Sequence, residues 1–234
     1  MEKRQKNRIV LSCRYSDTRF RRKKTGSSHN KFMLKKNIRS VKLIRTERGI
    51  QMKKDVFQNC PIYQSDRFEI RKMEMKDAHE LFRCYSNPQA ARYFNGDCCG
   101  DDFYYTDYEK FLECMKFWES RYQVRDFVRF TIVDQKQKEI AGMVEICPSY
   151  KYSADGSKIG ILRIDLLPEY ENEKMLNELL TLILEHIYED FEVQAVLMKA
   201  QEYATARRSI LKQFHFVAAM DECNISFRDY FIRF

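Results

Sequence analysis

The stretch LPEYENEKMLNELL, Leu167 to Leu180, places Glu171, Asn172, Glu173 and Lys174 just ahead of an apolar series at helical spacing. A helix start of this kind has a definite chemistry. Its first N–H groups have no intrahelical partners, and with the positive end of the helix dipole they bind anions, phosphates above all. Phosphate-cradling turns normally carry glycines, so that the backbone can approach the ligand and take positive φ. This turn has none. Its candidate cradle is Asn172, Glu173, Lys174, Met175 and Leu176, with Lys174 as the cation. The carboxylates of Glu171 and Glu173 oppose it, each repelling a pyrophosphate a few ångströms away by about 1 to 4 kcal/mol according to exposure. The alternative is that Asn172 to Lys174 is a solvated first helical turn.

A second polar cluster lies in GDCCGDDFYYTD, Gly96 to Asp107. Asp97, Asp101, Asp102 and Asp107 can attract a cationic amine, and Tyr104 and Tyr105 can line its pocket. Asp101, Asp102 and Tyr104 are the candidate substrate contacts, set against a plain surface loop. The pattern is not that of a calcium loop. The eight cysteines include no CxxC pair and the four histidines are scattered, so neither a metal site nor a disulfide framework is expected and reduced thiols in a cytoplasmic protein are the simplest account. No apolar run approaches the roughly 18 residues of a membrane span.

These clusters need a scaffold. FEIRKM, Phe68 to Met73, alternates as a half-buried strand does, and DAHELFRCYS gives a helix with Ala78, Leu81, Phe82 and Tyr85 on one face. NPQAARYF restarts a short helix, and Asn95 to Asp102 reads as a loop. In TDYEKFLECMKFWESRY, Thr106 and Glu109 have the spacing of a capping box, and the helix buries Phe111, Cys114, Met115 and Trp118. VRFTIVD and EIAGMVEI form a hairpin across Gln135 to Lys138. IGILRIDLL is a further central strand, Asn172 to Asp190 a long amphipathic helix, VQAVLMKA a strand, Ala204 to Phe214 a helix and ISFRDYFIRF a closing strand. The order β-α-α-β-β-β-α-β-α-β predicts a mixed α/β sheet with a hairpin meander followed by a strand-helix-strand crossover.

Charge divides the chain differently. Residues 1–51 carry 17 Lys or Arg against 3 acids, and residues 52–234 carry 25 against 31. The basic character therefore belongs to the first 51 residues, which read as a disordered extension to a domain spanning 52–234. Clustered Lys and Arg such as Arg21 to Lys24 suit a nucleic-acid-binding arm, and nucleic acid is expected nowhere else. A transit peptide is conceivable from the same bias, whereas the lack of an apolar core argues against a secretory signal. A further alternative is translation from Met52, since MKKDVF has the style of a bacterial start; native tryptic peptides from before Met52 would exclude it.

Ser65 to Phe234 resembles the GNAT N-acetyltransferase superfamily, and within it the ribosomal-protein N-terminal alanine acetyltransferases. Five stretches carry the likeness in order and spacing: DRFEIRKMEMKDAHELFRCYSNPQAARYF, FTIVDQKQKEIAGMVEI, GILRIDLLPEYENEKMLNELLTLILEHIY, RRSILKQFHF and FRDYFIRF. The resemblance implies a mostly antiparallel sheet flanked by helices, acetyl-CoA as cosubstrate and a protein N-terminus or small amine as acceptor, with a homodimer left open. The family's R/QxxGxG/A turn falls on Glu171 to Leu176, where Glu171, Lys174 and Leu176 stand at the motif positions. Ala204 stands at the place of an Asn, Leu211 at that of a Tyr acid and His215 at the Gly of a Gly-Phe pair.

The resemblance also assigns chemistry to particular residues. The pantetheine arm pairs with strand backbone in such folds, so LRIDLL would receive it, and the N–H of Ile164 or Leu166 would hold the carbonyl oxygen. Glu145 in MVEI would take the amine proton directly or through a water, with Asp165 in RIDL as the second candidate. The structural alternative pairs Glu145 with Arg163 on a neighbouring strand. Tyr203 and Cys223 are further candidates for the leaving-group acid. Two readings remain: an acetyl-CoA-dependent N-acetyltransferase, and a catalytically silent domain of the same fold that binds a protein or metabolite.

Overall fold

The structure, a computed structural model, describes residues 55–97 and 99–234. The basic extension of residues 1–51, the boundary at Met52, Cys13 and Cys98 lie outside the described residues. The elements are β1 (Tyr63–Gln64), β2 (Phe68–Lys72), α1 (Ala78–Tyr85), α2 (Pro88–Ala91), α3 (Tyr108–Gln123), β3 (Val128–Asp134), β4 (Glu139–Ser149), β5 (Ile159–Leu166), α4 (Glu173–Asp190), β6 (Ala195–Lys199), α5 (Thr205–Gln213), β7 (Val217–Ala218) and β8 (Tyr230–Arg233). They form an eight-stranded sheet in the order β1-β2-β3-β4-β5-β6-β8-β7. Every neighbouring pair is antiparallel except β5 and β6. The fold is the mixed α/β sheet that the element order predicts, mostly antiparallel and flanked by helices as the resemblance implies.

Helices on both faces explain why the central strands do not alternate in burial: all eight residues of β5 are buried, as strands covered on both sides require. Direction still alternates. Phe130 packs its ring against Phe191 beyond α4 at 6.4 Å, whereas Thr131 bonds Asp77 at 2.8 Å, at the start of α1. One side of the sheet thus faces α4 and the other faces α1 and α3. Arg129, Glu145, Arg163 and Asp165 share the α1/α3 side, since Arg129 pairs with Glu145 and Glu145 with Arg163 across the ladders.

Gly142 fixes the register that makes this so. The β3–β4 ladder shifts between Ile132 and Val133, leaving Ala141 as the extra residue of a bulge. Gly142 has φ +152°, and a Cβ on it would lie 2.0 Å from the Asp165 carbonyl oxygen, so only glycine lets β4 approach β5 this closely.

Local details depart from the sequence expectations. Asp107, not Thr106, caps α3, its carboxylate accepting from the N–H groups of Glu109 and Lys110. An aspartate one residue nearer the helix displaces the Thr–Glu box because its carboxylate is a strong acceptor at the dipole's positive end. The closing strand is only Tyr230–Arg233, and the two-residue β1 and β7 are too short for any period to show.

Candidate active site and cofactor cleft

The β5–β6 ladder runs from Ile159 opposite Ala195 to Leu162 opposite Met198 and stops. β5 continues for four more residues, Arg163 to Leu166, paired with β4 alone. A wedge opens there between two parallel strands. Leu167 to Tyr170 then turns toward α4, fixed by the Tyr170 hydroxyl bonding Asp134 at 3.0 Å and Glu139 at 2.9 Å.

The glycine-free turn closes without positive φ: Glu171 has φ −82° and Asn172 φ −139°, and Glu173 and Lys174 are already in α4. Asn172 is the N-cap, its Oδ1 accepting from Met175 N–H at 3.2 Å, and Leu176 N–H bonds the Asn172 carbonyl. The N–H groups of Glu173 and Lys174 are those left without an intrahelical partner. Their side chains are exposed, while Met175 and Leu176 are buried in the core. Of the five cradle candidates, three therefore face solvent, and the last two are buried with their N–H groups already bonded to Asn172.

The wedge is occupied by a side chain the sequence reading did not select. Arg207 of α5, 3% exposed, reaches in and donates from Nη2 to the Ile164 carbonyl at 2.7 Å. Nη1 donates to the Tyr93 carbonyl at 3.3 Å. Nε and Nη2 together clasp the Glu171 carboxylate, Nη2 to Oε2 at 2.8 Å, with both side chains at most 5% exposed. Burial opposes the guanidinium charge, but Glu171 more than offsets it and holds the Arg207 pKa above its ordinary value. Bounded by Tyr93, Asn95, Leu162 to Asp165, Met198, Lys199 and Arg207, the wedge leaves no room for a water molecule. Ile164 lines the wedge with its carbonyl engaged by Arg207, and Leu166 lies opposite Gly142 in β4.

On the α1/α3 side the two candidate carboxylates come together in a buried network. Arg129 contacts Glu145 at 2.7 Å and Asp165 at 3.8 Å, and Arg163 reaches Glu145 at 3.4 Å. The Tyr85 hydroxyl donates to Asp165 at 2.7 Å and accepts from Arg129 at 2.9 Å. Above them the Arg129 guanidinium lies 3.7 Å from the Trp118 ring centroid and 5.3 Å from that of Phe103. Burial pushes the Asp165 carboxyl up, against the lowering effect of Arg129 and Tyr85. Arg163 is bound to Glu145, as the structural alternative had it, and Arg129 joins them.

The acidic loop seals both features. Asp101 accepts the Phe103 N–H at 2.9 Å and also the Tyr105 hydroxyl, and Asp102 accepts the Tyr104 N–H at 3.0 Å. Asp102 and Tyr104 are exposed and Asp101 is half-buried, their carboxylates shaping the turn. Asp97 instead meets Lys199 of β6 at 2.6 Å. Arg163 donates to Cys99 Sγ at 2.9 Å, so the loop is tied to the end of the wedge. Tyr203 bonds the Arg92 carbonyl, and Cys223 bridges Ser153 ahead of β5. Among the described residues no group of three or more His, Cys, Asp or Glu is placed to hold a metal, and no helix is long and apolar enough to cross a membrane.

Two residues were legible and overlooked. Arg207 interrupts the buried stripe of α5, with Ala204, Ile210 and Leu211 at helical spacing around it, and Arg129 occupies an interior position of an apolar strand. A charge in an apolar period implies a buried partner.

Comparisons with known proteins agree with this geometry. The sequence pattern of the acetyltransferase (GNAT) domain matches residues 67–217. No curated protein sequence matches the chain. Among solved structures it is similar to RimL, a ribosomal L7/L12 alpha-N-protein acetyltransferase in complex with coenzyme A, at 14% identity over 74% of this chain and 97% of that one, TM-score 0.57. A ribosomal-protein-S5-alanine acetyltransferase from Vibrio fischeri matches at 12% identity over 68% and 84%, TM-score 0.53. A spermidine N-acetyltransferase from Vibrio cholerae, solved with CoA and spermine, matches at 16% identity over 72% and 93%, TM-score 0.53. With the family pattern spanning well over half of its length, the chain belongs to the acetyltransferase (GNAT) domain family of N-acetyltransferases.

Proposed function

We propose that residues 52–234 transfer an acetyl group from acetyl-CoA to a primary amine, a protein N-terminus or a small amine, in the cytoplasm. One observation carries the reading. β5 runs four residues past its ladder with β6 and leads through one turn to a capped helix start, which puts strand backbone unladdered on the β6 side beside N–H groups able to take phosphate. Acetyl-CoA supplies the acyl group; the chain's own residues bind, orient and move a proton. Backbone around Ile164 and Leu166 would hold the arm, and Glu173 and Lys174 would present N–H groups to the pyrophosphate. Of the two carboxylates, Asp165 has its affinity for a proton raised by burial and is held by Tyr85 and Arg129. Glu145 is engaged by Arg129 and Arg163.

The fit is conditional on one side chain. Arg207 lies where the arm would run, so binding requires it to give up the Ile164 carbonyl. The same fact favours a second reading, a silent domain whose cleft is filled by its own arginine. Calorimetric titration of acetyl-CoA into the full chain, with desulfo-CoA and ADP as controls, separates the two. Micromolar binding followed by thiol release with an amine panel supports the transferase. Absence of binding up to millimolar acetyl-CoA removes it and leaves the silent domain.

A further inference from the structure

We propose that the Glu171 carboxylate is an internal stand-in for the cofactor's pyrophosphate, so that cofactor binding is an exchange of anions on Arg207. The inference rests on the acetyl-CoA reading and goes further, in naming the cation and the competitor.

A guanidinium fork meets a carboxylate and a phosphate with the same paired geometry. Arg207 already shows that geometry, with Nε and Nη2 on the two oxygens of Glu171. The clasped carboxylate belongs to the residue immediately before the α4 N-cap, Asn172, so a negative group sits beside the helix start where an anion is favoured. Arg207 comes from a different element, α5, and its third and fourth contacts are carbonyls of the wedge, at Ile164 and Tyr93. The pair therefore spans the gap that the β5–β6 ladder leaves, at the end of the face along which α4 and α5 pack.

Glu171 is also free to leave. It lies outside α4, at φ −82° and ψ 59°, and is followed by exposed Asn172, Glu173 and Lys174. Rotation of its side chain toward solvent breaks no helical hydrogen bond, and in water the carboxylate regains the hydration that burial withheld. An arriving pyrophosphate brings more charge than one carboxylate and keeps the guanidinium partnered throughout. The strength of the internal pair is subtracted from the affinity for the cofactor, as for any site whose competent state is a fraction of the population.

The test is calorimetric titration of acetyl-CoA into the full-length wild type and variants, with melting temperatures taken with and without ligand. Glu171→Gln keeps the shape, removes the competitor and is expected to lower Kd about tenfold or more. Arg207→Gln removes the shared cation and is expected to raise Kd by about tenfold or more. Because Glu171→Gln strands a buried guanidinium and can unfold the protein, Glu171→Asp serves as the milder variant: it keeps the charge, draws the carboxylate back by one methylene and is expected to tighten binding several-fold. Glu173→Gln, an equal change of charge at an exposed neighbour, is expected to change Kd less than about twofold. Wild-type binding and turnover with no tightening in either Glu171 variant overturns the exchange alone, as does equal tightening by Glu173→Gln. Absence of binding by wild type and variants alike overturns both the exchange and the acetyl-CoA reading.

Discussion

Replacing Glu145 by Gln removes one charge from a buried set of four. The set holds two guanidinium groups, Arg129 and Arg163, and two carboxylates, Glu145 and Asp165, all with side chains at most 5% exposed. Glu145 is the member both arginines share, at 2.7 and 3.4 Å, whereas Asp165 meets Arg129 only at 3.8 Å. With Glu145 neutral, two buried cations face each other with one distant carboxylate between them. Removing one partner of a buried pair costs about 3–5 kcal/mol, which for a chain of this size lowers Tm by about 6–20 °C. Trp118 is the chain's one tryptophan and its ring touches the Arg129 guanidinium, so intrinsic fluorescence during urea unfolding reads the network directly. The double variant Glu145→Gln with Arg163→Gln restores charge balance, and should lose less than the sum of the single losses by at least about 1.5 kcal/mol. A loss below about 1 kcal/mol for Glu145→Gln, or strict additivity in the cycle, would refute the view that Glu145 is primarily the anchor of this network.

Acid unfolding should show two carboxylates acting in opposite senses. Burial alone would raise the pKa of Asp77, but Arg71, the Glu74 N–H and the Thr131 hydroxyl outweigh it and hold the carboxyl below 3.8, so its stabilisation is present above pH 3.8 and is lost as pH falls below it. Asp77→Asn should flatten that acid limb in urea midpoints measured across pH. Asp165 is raised above 3.8, so its stabilisation is present below that value and lost as pH rises through its folded pKa; Asp165→Asn should compare better with the wild type at neutral pH than in acid. His215 holds φ 61° after α5, a conformation that only glycine takes without strain, and His215→Gly should raise stability by about 0.5–1 kcal/mol, or about 1–4 °C in a thermal melt. Gly142→Ala should cost about 3 kcal/mol in the same melt, because its Cβ would meet the Asp165 carbonyl oxygen at 2.0 Å.

How far the sequence could be read follows from which residues obey a period. Long elements such as α3, α4, β3 and β4 announce themselves, and hence their order along the chain, through repeated apolar positions. β1 and β7 have two residues each, too few to carry a period, and they exist because a neighbouring strand offers them an edge. The cap of α3 passed from Thr106 to Asp107 because boundaries rest on single side chains, where a carboxylate one position along wins. At the site, Glu171 taken by itself is a charge that repels phosphate. Its meaning depends on Arg207, 36 residues away. No local pattern connects them. The hint was Arg207 on the buried stripe of α5, a place where an arginine survives only if paired.

That pairing changes how an acidic cofactor turn should be weighed. An unpaired Glu171 would be an electrostatic defect at an anion site, and losing the motif's basic residue would read as decay. A Glu171 clasped by Arg207 is neither, since its charge is balanced by a guanidinium from α5. Neither residue can change alone, because either single loss strands a charge that is at most 5% exposed. If cofactor binding is the proposed exchange, the cleft's affinity for a phosphate is set by a competition. On one side stands a tethered carboxylate at high local concentration; on the other a pyrophosphate with more charge and the added attraction of the α4 N-terminus. Substitution at Glu171 shifts only the first side of that balance and substitution at Arg207 removes what both compete for, so the two must move acetyl-CoA affinity in opposite directions if the cleft is an exchange site.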